Sequence, residues 1–242
     1  MFSHEVRVLP SSASQDGTIK LRSLLDYFQD TASLAVEDIE GSTSDLISRG
    51  YSWVLTRYEI EFLGKIPRID DTFKISTYHD PDHGYNTLRE FRVNSFDGTE
   101  IIRAKTSWLL VDINAQRPVK PVSNLPEILS RDTRPISPEF QEIKKIEDYG
   151  ISKTLKYRVN YHDTDYNRHM NNAVYFEKVY DSLADVQPLK LKSIYASFRS
   201  GAKLGEFINL DFYDDDSNMI LCRVKREGIN KPCAEFMMFK EE

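Results

Sequence analysis

Apolar side chains at Leu21, Leu25, Phe28, Ala32 and Ala35 recur at alternating spacings of four and three, the period of one face of an α-helix. A second stripe of the same spacing runs through His169, Ala173, Phe176, Tyr180 and Leu183, and the local words agree, Tyr27-Phe28-Gln29-Asp30 against Tyr175-Phe176-Glu177-Lys178. After each stripe come runs dense in aromatic and β-branched residues, which read as strands. Trp53 to Phe62 leads to a turn at Asp70-Asp71, and Ser193 to Phe198 leads to Gly205-Glu206. Further hairpins are expected at Asp97-Gly98 and Glu227-Gly228. Each half therefore predicts a short strand, one long helix and an antiparallel run of strands. One helix among so many strands buries its stripe only if the sheet curls around it.

Five of the ten prolines, Pro118, Pro121, Pro126, Pro135 and Pro138, fall in the stretch between the two patterns. Proline removes a backbone donor and fixes φ, so this stretch is neither a central strand nor a long helix. The expected organisation is an N-terminal repeat over 1–113, a proline-rich linker over 114–154 and a C-terminal repeat over 155–242, a duplicated α+β architecture.

Composition narrows the classes of function. With 40% hydrophobic and 29% charged residues, the 242-residue chain is globular rather than disordered. Its 32 basic and 38 acidic side chains give a net charge of -6, which leaves no basic footprint for nucleic acid. Two cysteines, Cys222 and Cys233, are too few for a disulfide scaffold or a zinc cluster. The start of the chain has no signal-peptide pattern, and no apolar run approaches the roughly 18–20 residues that span a bilayer. A cytoplasmic protein with no membrane association is expected.

The repeat is most informative where it breaks. In the register of the two stripes, apolar Leu21 corresponds to His169, within Tyr161-His162-Asp163-Thr164-Asp165-Tyr166-Asn167-Arg168-His169-Met170-Asn171-Asn172. Helix capping explains one Asn or Asp there, Asn171 or Asn172, but not Asp165, Asn167 and His169 at alternating positions. If the segment is extended, those three side chains share a face. A carboxylate, a carboxamide and an imidazole together suit polarising a carbonyl and activating water; plain turn chemistry is the alternative. His162, Asp163, Asp165 and His169 match no closed zinc site, so no metal is expected.

These residues resemble a known signature. Asp163-Thr164-Asp165-Tyr166-Asn167-Arg168-His169-Met170-Asn171-Asn172-Ala173-Val174-Tyr175 is similar to the D-x-D-x-N-x-H-x-N-N-x-x-Y run of acyl-ACP thioesterases. Trp53-Val54-Leu55-Thr56-Arg57 resembles the family's W-V-x-T-R strand, and Trp108 with Asp112 its later W-x-x-x-D/N segment. The resemblance implies a tandem (double) hot-dog fold, two antiparallel sheets each wrapped around a long helix. It implies hydrolysis of fatty acyl-[acyl carrier protein] to free fatty acid and carrier, by water directly and with no cofactor. It also implies Asp165, Asn167 and His169 as the catalytic residues, and acyl carrier protein as the partner. An acyl-CoA thioesterase and a non-catalytic acyl or carrier-binding protein are the alternative functions.

One departure stands out. Plant members of the family often carry Glu-Cys after the next strand, where this chain has Gly201-Ala202. Asp163 and Glu177 are the nearest carboxylates in sequence to replace the Glu, although a turn cap and a solvated helix face are their ordinary roles. Cys222 and Cys233 lie symmetrically about the Glu227-Gly228 turn and are expected to face each other, reduced. Docking an acidic carrier on an acidic chain needs a local basic patch, with Lys190 and Lys192, or Arg199 and Lys203, as candidates. The chain is expected as a monomeric pseudo-dimer or a homodimer.

Overall fold

The computed structural model describes residues 1–183, 190–214 and 218–241. They form two compact units, Met1–Thr56 with Ile60–Phe140, and Arg57–Glu59 with Gln141–Glu242. In the first, strands β1 (Phe2–Arg7), β2 (Tyr51–Phe62), β3 (Thr72–His83), β4 (Asn86–Ser95) and β5 (Glu100–Asp112) lie in the order β1-β3-β4-β5-β2, and β6 (Arg117–Val119) pairs with β5. Helix α1 (Leu21–Leu34) buries Leu24, Leu25, Phe28 and Thr31 against this sheet. Phe28 stacks on Phe91 of β4 with centroids 4.9 Å apart, and the Thr31 hydroxyl lies 2.8 Å from His4 Nε2 on β1. Short helices α2 (Thr43–Ser48), α3 (Pro121–Asn124) and α4 (Pro126–Leu129) complete the unit.

In the second unit, β7 (Ile151–Arg158), β8 (Leu191–Phe198), β9 (Phe207–Asp214), β10 (Met219–Arg226) and β11 (Pro232–Lys240) follow the order β8-β11-β10-β9-β7. Helix α5 (Asn172–Asp181) buries Ala173, Val174, Tyr175, Phe176 and Val179. Phe176 packs edge-on against Phe236 at 5.1 Å, and Tyr175 against Phe198 at 5.9 Å. Each unit thus has the hot-dog arrangement, an antiparallel sheet closed on one apolar helix.

Main-chain hydrogen bonds repeat residue by residue and correct the register read from the stripes. Val8 N–H donates to Asp71 O at 2.9 Å, as Val159 does to Glu206 at 2.9 Å. Ile19 N–H donates to Pro67 O at 2.8 Å, as Met170 does to Ala202 at 2.7 Å. Lys20 N–H donates to Ser12 O at 2.8 Å, as Asn171 does to Asp163 at 2.8 Å. Accordingly Leu21 corresponds to Asn172, the first residue of α5, and His169 corresponds to Thr18. His169 precedes the helix rather than joining its apolar stripe.

The proline-rich stretch is structured. Pro121 and Pro126 occupy the first turns of α3 and α4, where a missing N–H costs nothing. Ile136 and Phe140 pack on Tyr78 and Leu88 of the first sheet. Ile143, Ile146 and Tyr149 pack on Tyr213, Met219, Leu221 and Met237 of the second. These strand residues alternate with those facing the helices, so the stretch covers the other surface of each sheet. The expected Cys222–Cys233 pairing fails. The hairpin turns one residue later than expected, with Lys225 opposite Pro232, and a bulge between Val224 and Lys225 adds a further residue, so Cys222 pairs with Phe236 and both buried thiols are free.

Candidate active site

The segment between Tyr161 and α5 opens with a 3-10 turn over Tyr161–Asp163. Asp163 is buried, and its Oδ2 accepts from Tyr157 OH at 2.8 Å and from Asn160 N–H at 2.6 Å. Residues 165–169 are not extended. Arg168 N–H donates to Asp165 O at 2.9 Å and Asp165 N–H to His169 O at 2.8 Å, closing a tight turn with Arg168 at φ 60°. Alternation nevertheless persists, since Asp165, Asn167 and His169 are half-buried while Tyr166 and Arg168 are exposed. Asn171 caps α5, its Oδ1 accepting from Ala173 N–H at 2.8 Å.

Asp165 organises the turn from within. Its Oδ1 accepts the main-chain N–H of Asn167 at 2.8 Å and that of His169 at 3.4 Å. Burial pushes its carboxyl above the usual range, opposed by these two amides and by the nearby His169. His169 is held from the opposite side. It forms an antiparallel bridge with Lys203, and the Gly201 main chain runs against its ring. A Cβ at Gly201 would lie 2.7 Å from His169 Cδ2 and 2.8 Å from Cγ and Cβ. Gly201 is therefore more than the place of a lost carboxylate, because any side chain there displaces the imidazole. Next to it, Ala202 N–H donates to Tyr175 OH at 2.9 Å, so the α5 tyrosine fixes the strand that backs His169. Burial raises the Tyr175 hydroxyl pKa, helped by the neighbouring Cys233, and keeps it protonated.

The equivalent turn of the first unit is an internal comparison. Ser14, Asp16 and Thr18 stand where the second unit has Asp165, Asn167 and His169. The turn geometry is the same, with Ser14 N–H bonded to Thr18 O at 2.7 Å and Gly17 at φ 83°. There, however, the Asp16 carboxylate accepts from the Thr18 hydroxyl at 2.7 Å and its N–H at 3.1 Å, and Ile66 stands in the place of Gly201. The first copy keeps the fold of the turn without an imidazole, and its carboxamide, Gln15, stands at the exposed position of Tyr166.

Family models match both halves, the acyl-ACP thioesterase N-terminal domain over residues 1–129 and the acyl-ACP thioesterase C-terminal domain over 146–226. The chain belongs to the acyl-ACP thioesterase family. It is 22% identical over 200 residues to a chloroplastic acyl-[acyl-carrier-protein] hydrolase of Cuphea viscosissima, covering 75% of this chain and 47% of that protein. The chloroplastic palmitoyl-acyl carrier protein thioesterase of Cuphea hookeriana is likewise 22% identical, with 46% of its length covered. This chain thus spans about half the length of either relative. In fold it matches the crystal structure of an acyl-ACP thioesterase from Bacteroides thetaiotaomicron (TM-score 0.82, 20% identity, 99% of this chain and 97% of the other). The 12:0-ACP thioesterase of Umbellularia californica superposes equally well (TM-score 0.84, 14% identity, 99% and 96%).

Other residues of the acyl-ACP thioesterase signature have structural duties. Asp112 closes the turn after β5, its Oδ1 accepting from Asn114 N–H at 2.9 Å and Ala115 N–H at 2.8 Å. Trp108 Nε1 donates to Thr106 Oγ1 at 2.8 Å. Glu177 lies 3.2 Å from Lys178. Arg199 is taken by the buried Glu235 carboxylate at 2.8 Å, leaving Lys203 from that pair of cations. Among the described residues no helix is long and apolar enough to cross a membrane.

Proposed function

We propose that this chain hydrolyses the thioester of a fatty acyl group carried on acyl carrier protein, releasing free fatty acid and carrier, and that Asp165, Asn167 and His169 carry the reaction. The observation that supports this most is the pairing of His169 with Gly201, a space kept open for one imidazole beside a turn in which the Asp165 carboxylate holds the main chain of Asn167. The first unit has the same turn with Ser14, Asp16 and Thr18 at these three positions, so it has no imidazole there and its one carboxylate is bound to Thr18.

In this reading the Asn167 carboxamide donates to the thioester carbonyl oxygen and stabilises the negative charge that develops there. His169 takes a proton from water as the water oxygen attacks the carbonyl carbon. The C–S bond then breaks, and the departing thiolate takes up the proton from the imidazole. Asp165 acts as a positioning residue through the two main-chain N–H groups it accepts. Asp163 is not assigned as the base, because it is buried and its Oδ2 ties Tyr157 and the Asn160 N–H into the preceding turn.

The test is release of fatty acid from a panel of acyl-ACP chain lengths by the purified protein. Asn167→Ala and His169→Ala are each expected to lower kcat by about 100-fold or more. Wild-type turnover that is absent, or unaffected by either change, refutes the proposal. Equal rates on acyl-CoA and acyl-ACP would replace the carrier assignment with a CoA-ester hydrolase.

A further inference from the structure

The two copies differ in charge around the turn as well as in chemistry. In the first unit, the two cations that precede and follow the turn, Arg7 and Arg68, each lie beside a carboxylate, while Lys20 donates to the Ser11 carbonyl. Arg7 pairs with Asp70 at 2.7 Å, and Arg68 donates to the Asp16 carbonyl with its charge beside the Asp16 carboxylate. The corresponding cations of the second unit are Arg158 and Lys203. Glycine replaces Asp70 there, as Gly205, and Asn167 replaces Asp16. Both cations are exposed and, among the described residues, neither side chain has a hydrogen bond or ion pair. A third cation is added: Arg168 stands where the first unit has Gly17, exposed and equally unpaired. It keeps a left-handed φ of 60°, a conformation that glycine adopts readily and other residues seldom do.

These cations share one rim. Lys203 bridges to His169, Arg168 adjoins it in sequence, and Arg158 pairs across to Phe207 with its guanidinium 3.9 Å from the place a Gly205 Cβ would take. Between them stand exposed apolar groups, Tyr161 (74%), Tyr166 (56%), Leu204 (54%) and Phe207 (39%). The first unit has Pro10, Gln15, Ile69 and Thr72 in their places, with only Ile69 of comparable character. Two carboxylates are added beside the turn, Asp165 for Ser14 and Asp163 for Ser12; the first is directed at main-chain amides and the second at Tyr157 and the Asn160 N–H.

We propose that this rim, Arg158, Arg168 and Lys203 with Tyr166 and Leu204, is the surface on which the acidic face of acyl carrier protein docks. The inference rests on the function proposed above and names the part of that site which receives the carrier. Charge complementarity supports it. In a chain of net charge -6, three cations left without partners beside one functional turn form a local field of opposite sign to the carrier. The apolar groups among them suit a protein surface rather than a small phosphate, since they supply the dry centre such contacts need.

The experiment compares one acyl group on ACP, on CoA and on N-acetylcysteamine. Its proteins are wild type, Arg168→Gly and the double variant Arg158→Glu/Lys203→Glu, each checked for an unchanged Tm. The double variant is expected to lose about 10- to 100-fold in kcat/KM on acyl-ACP, chiefly through KM, and under about 2-fold on the N-acetylcysteamine ester. Arg168→Gly should lose about 3-fold or more on acyl-ACP alone. Wild-type kcat/KM on acyl-ACP should fall as salt rises from about 50 to about 500 mM, and the double variant's dependence should flatten. Unchanged kcat/KM on acyl-ACP, or equal losses on all three esters, overturns the docking surface. Equal losses on CoA and ACP but not on the small ester assign the cations to a phosphate instead. If wild type hydrolyses none of the esters, the proposed function fails. Binding of holo-ACP, weakened or not by charge reversal, then still decides the surface.

Discussion

Gly201→Ala tests whether His169 is held by the absence of a side chain. The new Cβ would meet three His169 atoms at 2.7–2.8 Å, about 0.6 Å or more inside ordinary contact. One of those atoms is the His169 Cβ, so a ring rotation does not relieve the overlap and the whole residue must retreat. Overpacking of this kind costs about 1–3 kcal/mol. In a chain of this size that lowers Tm by roughly 2–4 °C per kcal/mol. A retreat approaching 1 Å at a reacting group costs about 100-fold in rate. The assay is kcat on a small acyl thioester together with calorimetric Tm. In a His169→Gly background, which removes all three clashing atoms, the Ala substitution should leave Tm unchanged. A Gly201→Ala protein with kcat within about 2-fold of wild type and the same Tm would refute the steric argument and return Gly201 to the status of a lost carboxylate.

Two further outcomes concern pH. Burial raises the Asp165 pKa, so ionising it costs the folded state stability: the carboxyl contributes most below the usual value of 3.8 and that contribution is lost as pH rises through its raised pKa. Asp165→Asn keeps an acceptor for the Asn167 N–H; its Tm should exceed wild type at neutral pH, with the gap closing near pH 3, and a gap independent of pH would count against the assignment. His79, 2% exposed, has its pKa lowered to about 4 by burial and by Arg89, so its contribution is intact above 6.5 and is lost as pH falls toward 4. That limb amounts to about 3 kcal/mol; urea unfolding of His79→Gln at pH 7 and near pH 4 should show it missing, and an acid limb as steep as wild type would contradict the reading.

Strands and turns were legible in the sequence because their signals are local. The turns at Asp70, Gly98, Gly205 and Gly228 all carry the positive φ that their residue types favour. The helix register was not legible. An apolar stripe matches itself again after about one turn, so sliding one copy along the other by that amount preserves the pattern. The slip set Leu21 against His169 and hid the correspondence of Ser14, Asp16 and Thr18 with Asp165, Asn167 and His169. Aligning Gly17 with Arg168 would have corrected it, but arginine gives no signal of a left-handed turn. Gly201 was visible only as a departure from the family pattern, since its steric meaning depends on where His169 comes to rest. The Cys222–Cys233 pairing failed on a turn centred one residue later and on a bulge, which inserts a residue without any mark in composition.

The Ser14–Thr18 turn is a spare mounting. Its backbone already closes as the second does, its Gly17 accepts the left-handed geometry without strain, and its Asp16 holds the place of a carboxamide. What bars an imidazole at Thr18 is Ile66, which occupies the position that glycine keeps empty in the other copy. The asymmetry of this chain, one half equipped and the other plain, thus comes down to a handful of side chains on a shared skeleton. Transplanting Asp, Asn and His together with that one glycine is the shortest path by which a protein built twice would carry the proposed constellation in both halves.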